Sequence, residues 1–149
     1  MRNERYELRV GSGATVFEFM SEGQNGLIRK RVEYSLTDKV NIYILSFGDV
    51  DSENDDFDDE VISNNNDTKK VLSTVASTVY LFTAVFPKAI VYAEGNNATR
   101  NRLYRMGISN NLEELQETFN VYGFIENKGW FEYEKNKNYS SFFVKRKKQ

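Results

Sequence analysis

Residues Val40–Phe47 (VNIYILSF) place Ile42 and Ile44 on one parity and Tyr43, Leu45 and Phe47 on the other. A strand alternates its side chains between two faces, so a segment apolar on both belongs inside a sheet covered on both sides. Asp67 is then a candidate helix N-cap, and Val71, Val75, Val79, Phe82 and Phe86 recur at helical spacing up to Pro87, the single proline. This stretch is rich in Val, Thr and Ser, which weakens local helix propensity. Its length of about twenty residues decides for a helix. Ala89–Ala93 (AIVYA) reads as a short buried strand. Strand, helix and strand in that order predict a right-handed parallel crossover.

The rest of the chain reads as antiparallel strands around this unit. Tyr6, Leu8 and Val10 alternate with charged residues, Phe17 and Phe19 share a face of Thr15–Met20, and Ile28, Val32, Tyr34 and Leu36 share a face of Leu27–Leu36. Lys30 interrupts that last face and is expected to snorkel at a strand edge. Ala98–Met106 predicts a short basic helix ending at Gly107, and Asn110–Phe119 a second, anionic one. Val121–Glu126, Trp130–Glu134 and Tyr139–Lys145 close the chain as strands, joined by Asn-Lys-Gly and Lys-Asn-Lys-Asn, which are hairpin signals. The expected fold is a single α+β domain over 1–149, with a mixed, mainly antiparallel sheet built around a central parallel β-α-β crossover. Ile42, Ile44, Leu45, Val71, Val75, Val79, Phe82, Ile90 and Leu103 are expected to form one core.

Composition removes whole classes of chemistry. There is no cysteine and no histidine, so disulfides, thiolate sites, serine–histidine triads and histidine-ligated metals are impossible. No apolar run approaches the roughly 18 residues of a membrane span, and the charged N-terminus is unlike a signal peptide. A cytoplasmic protein without cofactor is expected. The net charge of −2 hides a segregation: eight acids and no base fall in 49–60 (DVDSENDDFDDE). An acidic loop over 49–66 thus opposes a basic remainder, with a basic tail at 145–149. Such a loop discourages nucleic acid nearby.

Three constellations could carry a site. Asp49, Asp51, Glu53, Asp55 and Glu60 resemble part of a calcium loop, but Asn54 stands where that loop needs glycine. A solvated loop that pairs with the chain's own bases is the expected state. Asn97, Arg100, Arg102 and Arg105 form an anion-binding candidate at a helix start, with Lys69 and Lys70 second. On a helix Arg102 and Arg105 share a face, while Arg100 lies on another. The aromatics Tyr122, Phe124, Trp130, Phe131, Tyr133, Tyr139, Phe142 and Phe143 could stack bases, though a β-rich core needs such residues anyway.

The strings FGDVD, SNNNDTKKVLSTVASTVYLF and NNATRNRLYRMGI together resemble a family of small bacterial proteins of unknown function, common among Bacteroidota. The element order from Thr15 onward is similar to the GCN5-related acetyltransferase fold. Asn97, Leu103, Tyr104 and Gly107 match its short-helix motif, which implies Tyr104 as general acid. The chain departs from that pattern at the pyrophosphate loop, where Asn64-Asn65-Asn66-Asp67 replaces a glycine-rich turn. The expected function is therefore a non-enzymatic binding or regulatory protein, engaging a protein partner or a small anionic ligand. The alternative is a divergent acyl-CoA-dependent N-acyltransferase-like protein.

Overall fold

The computed structural model describes residues 3–51, 53–55, 57–58, 64–95 and 97–148. Its elements are β1 (Arg9–Val10), β2 (Val16–Gly23), β3 (Gly26–Leu36), β4 (Ile42–Val50), β5 (Phe57–Asp58), α1 (Thr68–Val85), β6 (Ile90–Glu94), α2 (Ala98–Asn110), α3 (Leu112–Thr118), β7 (Phe119–Ile125), β8 (Gly129–Glu132) and β9 (Ser141–Arg146). Among the described residues the strands form one sheet in the order β1-β2-β3-β4-β6-β9-β7-β8, with β5 added beside β4. Only β4 and β6 run parallel; every other pair is antiparallel. The α+β class with its central parallel pair is thus as expected.

The three helices lie on one face of this sheet. Tyr34 of β3 stacks on Phe82 of α1 at 4.0 Å, and its hydroxyl is 2.6 Å from Thr78 Oγ1. Phe47 of β4 and Phe142 of β9 each lie 6.3 Å from the Tyr104 ring of α2. The Ser/Thr content of α1, which speaks against a helix in isolation, is absorbed by the helix itself. Thr74, Ser77, Thr78 and Thr83 are buried, and their hydroxyls donate to the carbonyls of Lys70, Thr74, Val75 and Val79.

Four expectations require correction. Among the described residues no helix covers the second face of the sheet, and Ile42 and Ile90 are half-buried and Ile44 is 39% exposed. The doubly apolar β4 belongs to the middle of the sheet without being covered on both sides. Lys30 does not snorkel: it is fully buried under α1's end of the sheet, with Nζ 2.5 Å from Asp49 Oδ1. Gly107 does not end α2, which continues to Asn110; Gly107 is buried, facing Leu72 of α1. Finally, β8 and β9 are not a hairpin. β9 inserts between β6 and β7, and the chain reaches that slot by passing under β7. Gly123 permits this passage, since a Cβ there would fall within the Tyr139 ring.

Both charged segments are partly built into the sheet. Asp49 is in β4, and Phe57–Asp58 pairs back onto Asp49 and Val50. Lys145 and Arg146, assigned from sequence to a tail, are the end of β9. Arg146 reaches α1, with Nε donating to Thr83 Oγ1 (2.8 Å) and Nη2 to Tyr80 O (3.0 Å).

Candidate functional site at the parting of the parallel strands

Parallel strands can hold a ligand where they diverge beyond their carboxyl ends. Here β4 pairs with β6 only through Ile42↔Ile90, Tyr43↔Val91 and Ile44↔Tyr92. Beyond Ile44, β4 continues to Val50 against β3 and β5, while β6 continues to Glu94 against β9. The strands therefore part at Leu45 and Ala93, and Gly95 turns the chain into α2. A side chain at Gly95 would collide with the Arg100 Cβ, so glycine lets α2 start close against the gap.

Arg100 occupies this notch. It is 5% exposed, and Nη2 donates to the carbonyl of Phe47, a backbone oxygen freed where β4 leaves β6. The guanidinium carbon lies 5.1 Å from the Phe47 ring centre and 5.9 Å from that of Tyr104, which stabilises the charge through the ring quadrupoles. Nη1 is buried and has no hydrogen-bond partner among the described residues. Asn97 caps the helix as its sequence position implies, with its side chain accepting from Arg100 N at 2.9 Å. The Tyr104 ring that borders Arg100 also lines a cavity of about 80 Å³, whose other walls are apolar and include Leu45, Val75, Ala93, Leu103 and Val144.

The other sequence candidates disperse. Arg102 is exposed; Arg105 is half-buried, and its Nη1 donates to Tyr139 O at 3.2 Å. Tyr104 is buried within the core rather than facing an open cleft. Lys69 is exposed, and Lys70 sits 4.2 Å above the Tyr6 ring. Asp67 stands at the N-cap of α1, but its carboxylate makes no capping bond to the helix and turns instead to β2 and the N-terminal segment. Asp67 accepts from Tyr6 Oη (2.6 Å) and Ser21 Oγ (2.5 Å), and burial, then the bond to Asp67, pushes the Tyr6 hydroxyl up. Asn65, expected to lie in a solvated loop, is buried instead. It donates to Ser21 Oγ and Gly26 O and accepts from Asn25 N, strapping the β2–β3 turn to α1.

The acidic candidates do not converge on a metal. Asp49 pairs with Lys30 on the helix side. Asp51 accepts from the Glu53 backbone N–H, and Asp55 is held on the opposite face by Arg29 (2.7 Å) and Arg31 (3.1 Å). Among the described residues no cluster of three acids could hold an ion; Glu60 lies outside them. The pairing of the loop with the chain's own bases is therefore present at Asp55. Those two arginines also bracket Glu18, with Arg29 Nε at 2.9 Å and Arg31 Nε at 2.7 Å. Burial alone would raise the Glu18 carboxyl, but the hydrogen bonds from Arg29 and Arg31 outweigh it and hold it below its ordinary value. Asp55 is lowered in the same way: desolvation acts to raise it, and Arg29 and Arg31 outweigh that.

Sequence reading grouped the aromatics of the last three strands together and did not separate the uncovered face from the buried one. The row Ile44, Tyr92, Phe143 and Tyr122 crosses four adjacent strands in register. Trp130, 42% exposed, packs on Tyr92, Phe124 and Phe143 at 6.2, 5.2 and 4.9 Å. Tyr133, Tyr139 and Phe142 are buried on the helix side. The signal was available in parity: Tyr122, Phe124 and Phe143 share one face only once the register of β7 with β9 is known.

No curated protein and no solved structure shows significant similarity to the chain, and none of the described helices is long and apolar enough to cross a membrane. Residues 2–147 match a family of unknown function, DUF6934, and the chain belongs to that family.

Proposed function

We propose that this is a non-enzymatic binding or regulatory protein that engages a protein partner through the uncovered face of its sheet. The observation that carries this reading is the aromatic set around Trp130, which stays at the surface while all three helices cover the other face. Contiguous exposed aromatic area of this kind marks interaction surfaces more often than it marks ordinary solvent-facing residues. Its margin is of mixed sign, with Lys39 and Lys145 exposed beside Asp38, Glu94 and Glu132. That margin suits a protein with an apolar centre and a polar rim. It suits nucleic acid poorly, because the rings already pack on one another. Tyr122 stacks on Phe143 at 4.6 Å, and Trp130 meets Phe143 edge-on, which leaves few free ring faces for bases.

A second reading, an acyltransferase-like protein, is favoured by one observation, the parting of β4 and β6. Two observations oppose it. The gap is filled by Arg100, and a carboxylate, Asp67, stands at the α1 N-terminus where a donor's phosphates would lie. The two readings separate by experiment. A photo-crosslinking residue in place of Trp130 should yield one discrete adduct in cells, and the same residue in place of Arg102 on α2 should not. Adducts from both positions alike, or from neither, would refute the face as the docking surface. Acyl-CoA turnover by the purified protein that is lost in Tyr104→Phe, with folding intact, would establish the acyltransferase instead.

A further inference from the structure

We propose that the notch between β4 and β6 binds a short aliphatic carboxylate, with its carboxylate on Arg100 and its chain in the adjoining cavity. Two independent features meet there. The first is a guanidinium that is buried yet incompletely paired. Nη2 is bonded to Phe47 O, while Nη1 has no acceptor among the described residues. Ring faces of Phe47 and Tyr104 offset part of the charge but accept no conventional hydrogen bond. A buried donor left unpaired is costly, and a cationic one more so. A carboxylate is the group whose shape matches the guanidinium fork and whose charge cancels it.

The second feature is the cavity of about 80 Å³. Its walls include Leu45 and Ala93, the first residues beyond the last β4–β6 pair, and Tyr104, whose ring also borders Arg100. Polar head site and apolar pocket therefore share the Tyr104 ring as a common wall. An engineered apolar cavity of about 150 Å³ holds a benzene ring, so by proportion this one holds about three to four carbon atoms. Acetate is too short to fill it, and a long acyl chain is too large. This site lies on the helix side of the sheet and does not depend on the partner-binding face.

The test is calorimetric titration of the 149-residue protein with butyrate, isobutyrate, acetate, isobutyramide, inorganic phosphate and butyryl-coenzyme A. Butyrate or isobutyrate should bind and raise the melting temperature, and acetate, the neutral amide and phosphate should each bind at least tenfold more weakly. Arg100→Gln should abolish the preference for the acid over the amide. That variant removes a buried bond to β4, so Ala76→Leu, which fills the cavity from α1, provides the second arm. It should lose butyrate binding while keeping its circular dichroism spectrum. The proposal is overturned if neither acid binds at millimolar concentration, if amide or phosphate binds as well as the acid, or if Ala76→Leu leaves affinity unchanged. Tighter binding of butyryl-coenzyme A than of butyrate would also overturn it, assigning the notch to an acyl donor.

Discussion

The Lys30–Asp49 pair allows a quantitative test of how the helix-side interior is held. Lys30 is fully buried, and Asp49, across the β3–β4 ladder, is 14% exposed at its side chain. Their separation of 2.5 Å makes each the other's close charge partner. Removing one member of a buried pair costs about 3–5 kcal/mol, because the remaining charge stays desolvated. Asp49→Ala, which removes the carboxylate bonded to the more deeply buried ammonium, should therefore cost about 3–5 kcal/mol. Lys30→Met should cost less, about 1–3 kcal/mol, since the Asp49 carboxylate retains some access to water. The double change Lys30→Met with Asp49→Leu replaces the pair by apolar groups and should fall close to wild type, or above it by about 1–4 kcal/mol. Urea unfolding followed by circular dichroism, with shared slopes, yields all three values and the coupling energy. An Asp49→Ala cost below about 1 kcal/mol would refute the reasoning. So would additivity of the two sites within about 0.5 kcal/mol, the limit for residues that do not interact.

Parity in β4 gives a second test: Leu45→Ala, at a site 6% exposed, should cost about 2–5 kcal/mol. Ile44→Ala, next in the chain but on the uncovered face, should cost under about 1.5 kcal/mol by the same thermal or urea assay. Equal costs would mean that both faces are covered. Gly123→Ala forces a methyl group into the Tyr139 ring and should cost about 1–3 kcal/mol, and an unchanged melting temperature would refute the passage of the chain under β7. Glu18 has a folded pKa below its ordinary value of 4.5, so its contribution is fully present above that pH and is lost as pH falls through the lower folded value. Glu18→Gln should flatten the acid-side loss of stability below pH 4.5 and leave the slope near neutrality unaltered. An identical acid limb in the variant would show that the arginine clasp does not act on this carboxyl.

Much of the architecture was legible along the chain because it is set by local periodicity. The α1 stripe of Val71, Val75, Val79 and Phe82, the Pro87 stop and the apolar β4 suffice to place a crossover helix between two central strands. Membership of a family of unknown function was legible in the same way, through contiguous strings. The site was legible only in part: spacing sets Arg100 on a different helix face from Arg102 and Arg105, but it does not say which of the two faces is buried. That distinction arises because β4 leaves β6 after Ile44, freeing the Phe47 carbonyl at the height where α2 begins.

Other outcomes depend on pairings between residues far apart in sequence. Lys30 looked like a break in an apolar stripe until register set Asp49 opposite it. Asn65 looked like loop until the β2–β3 turn closed around it. Ile44 and Leu45 are equally apolar, and only the placement of every helix on one side decides that Leu45 is core and Ile44 is surface. Periodicity records which residues share a face of their own element. Which face is covered is a property of the packing of separate elements, and that was decided by the tertiary structure alone.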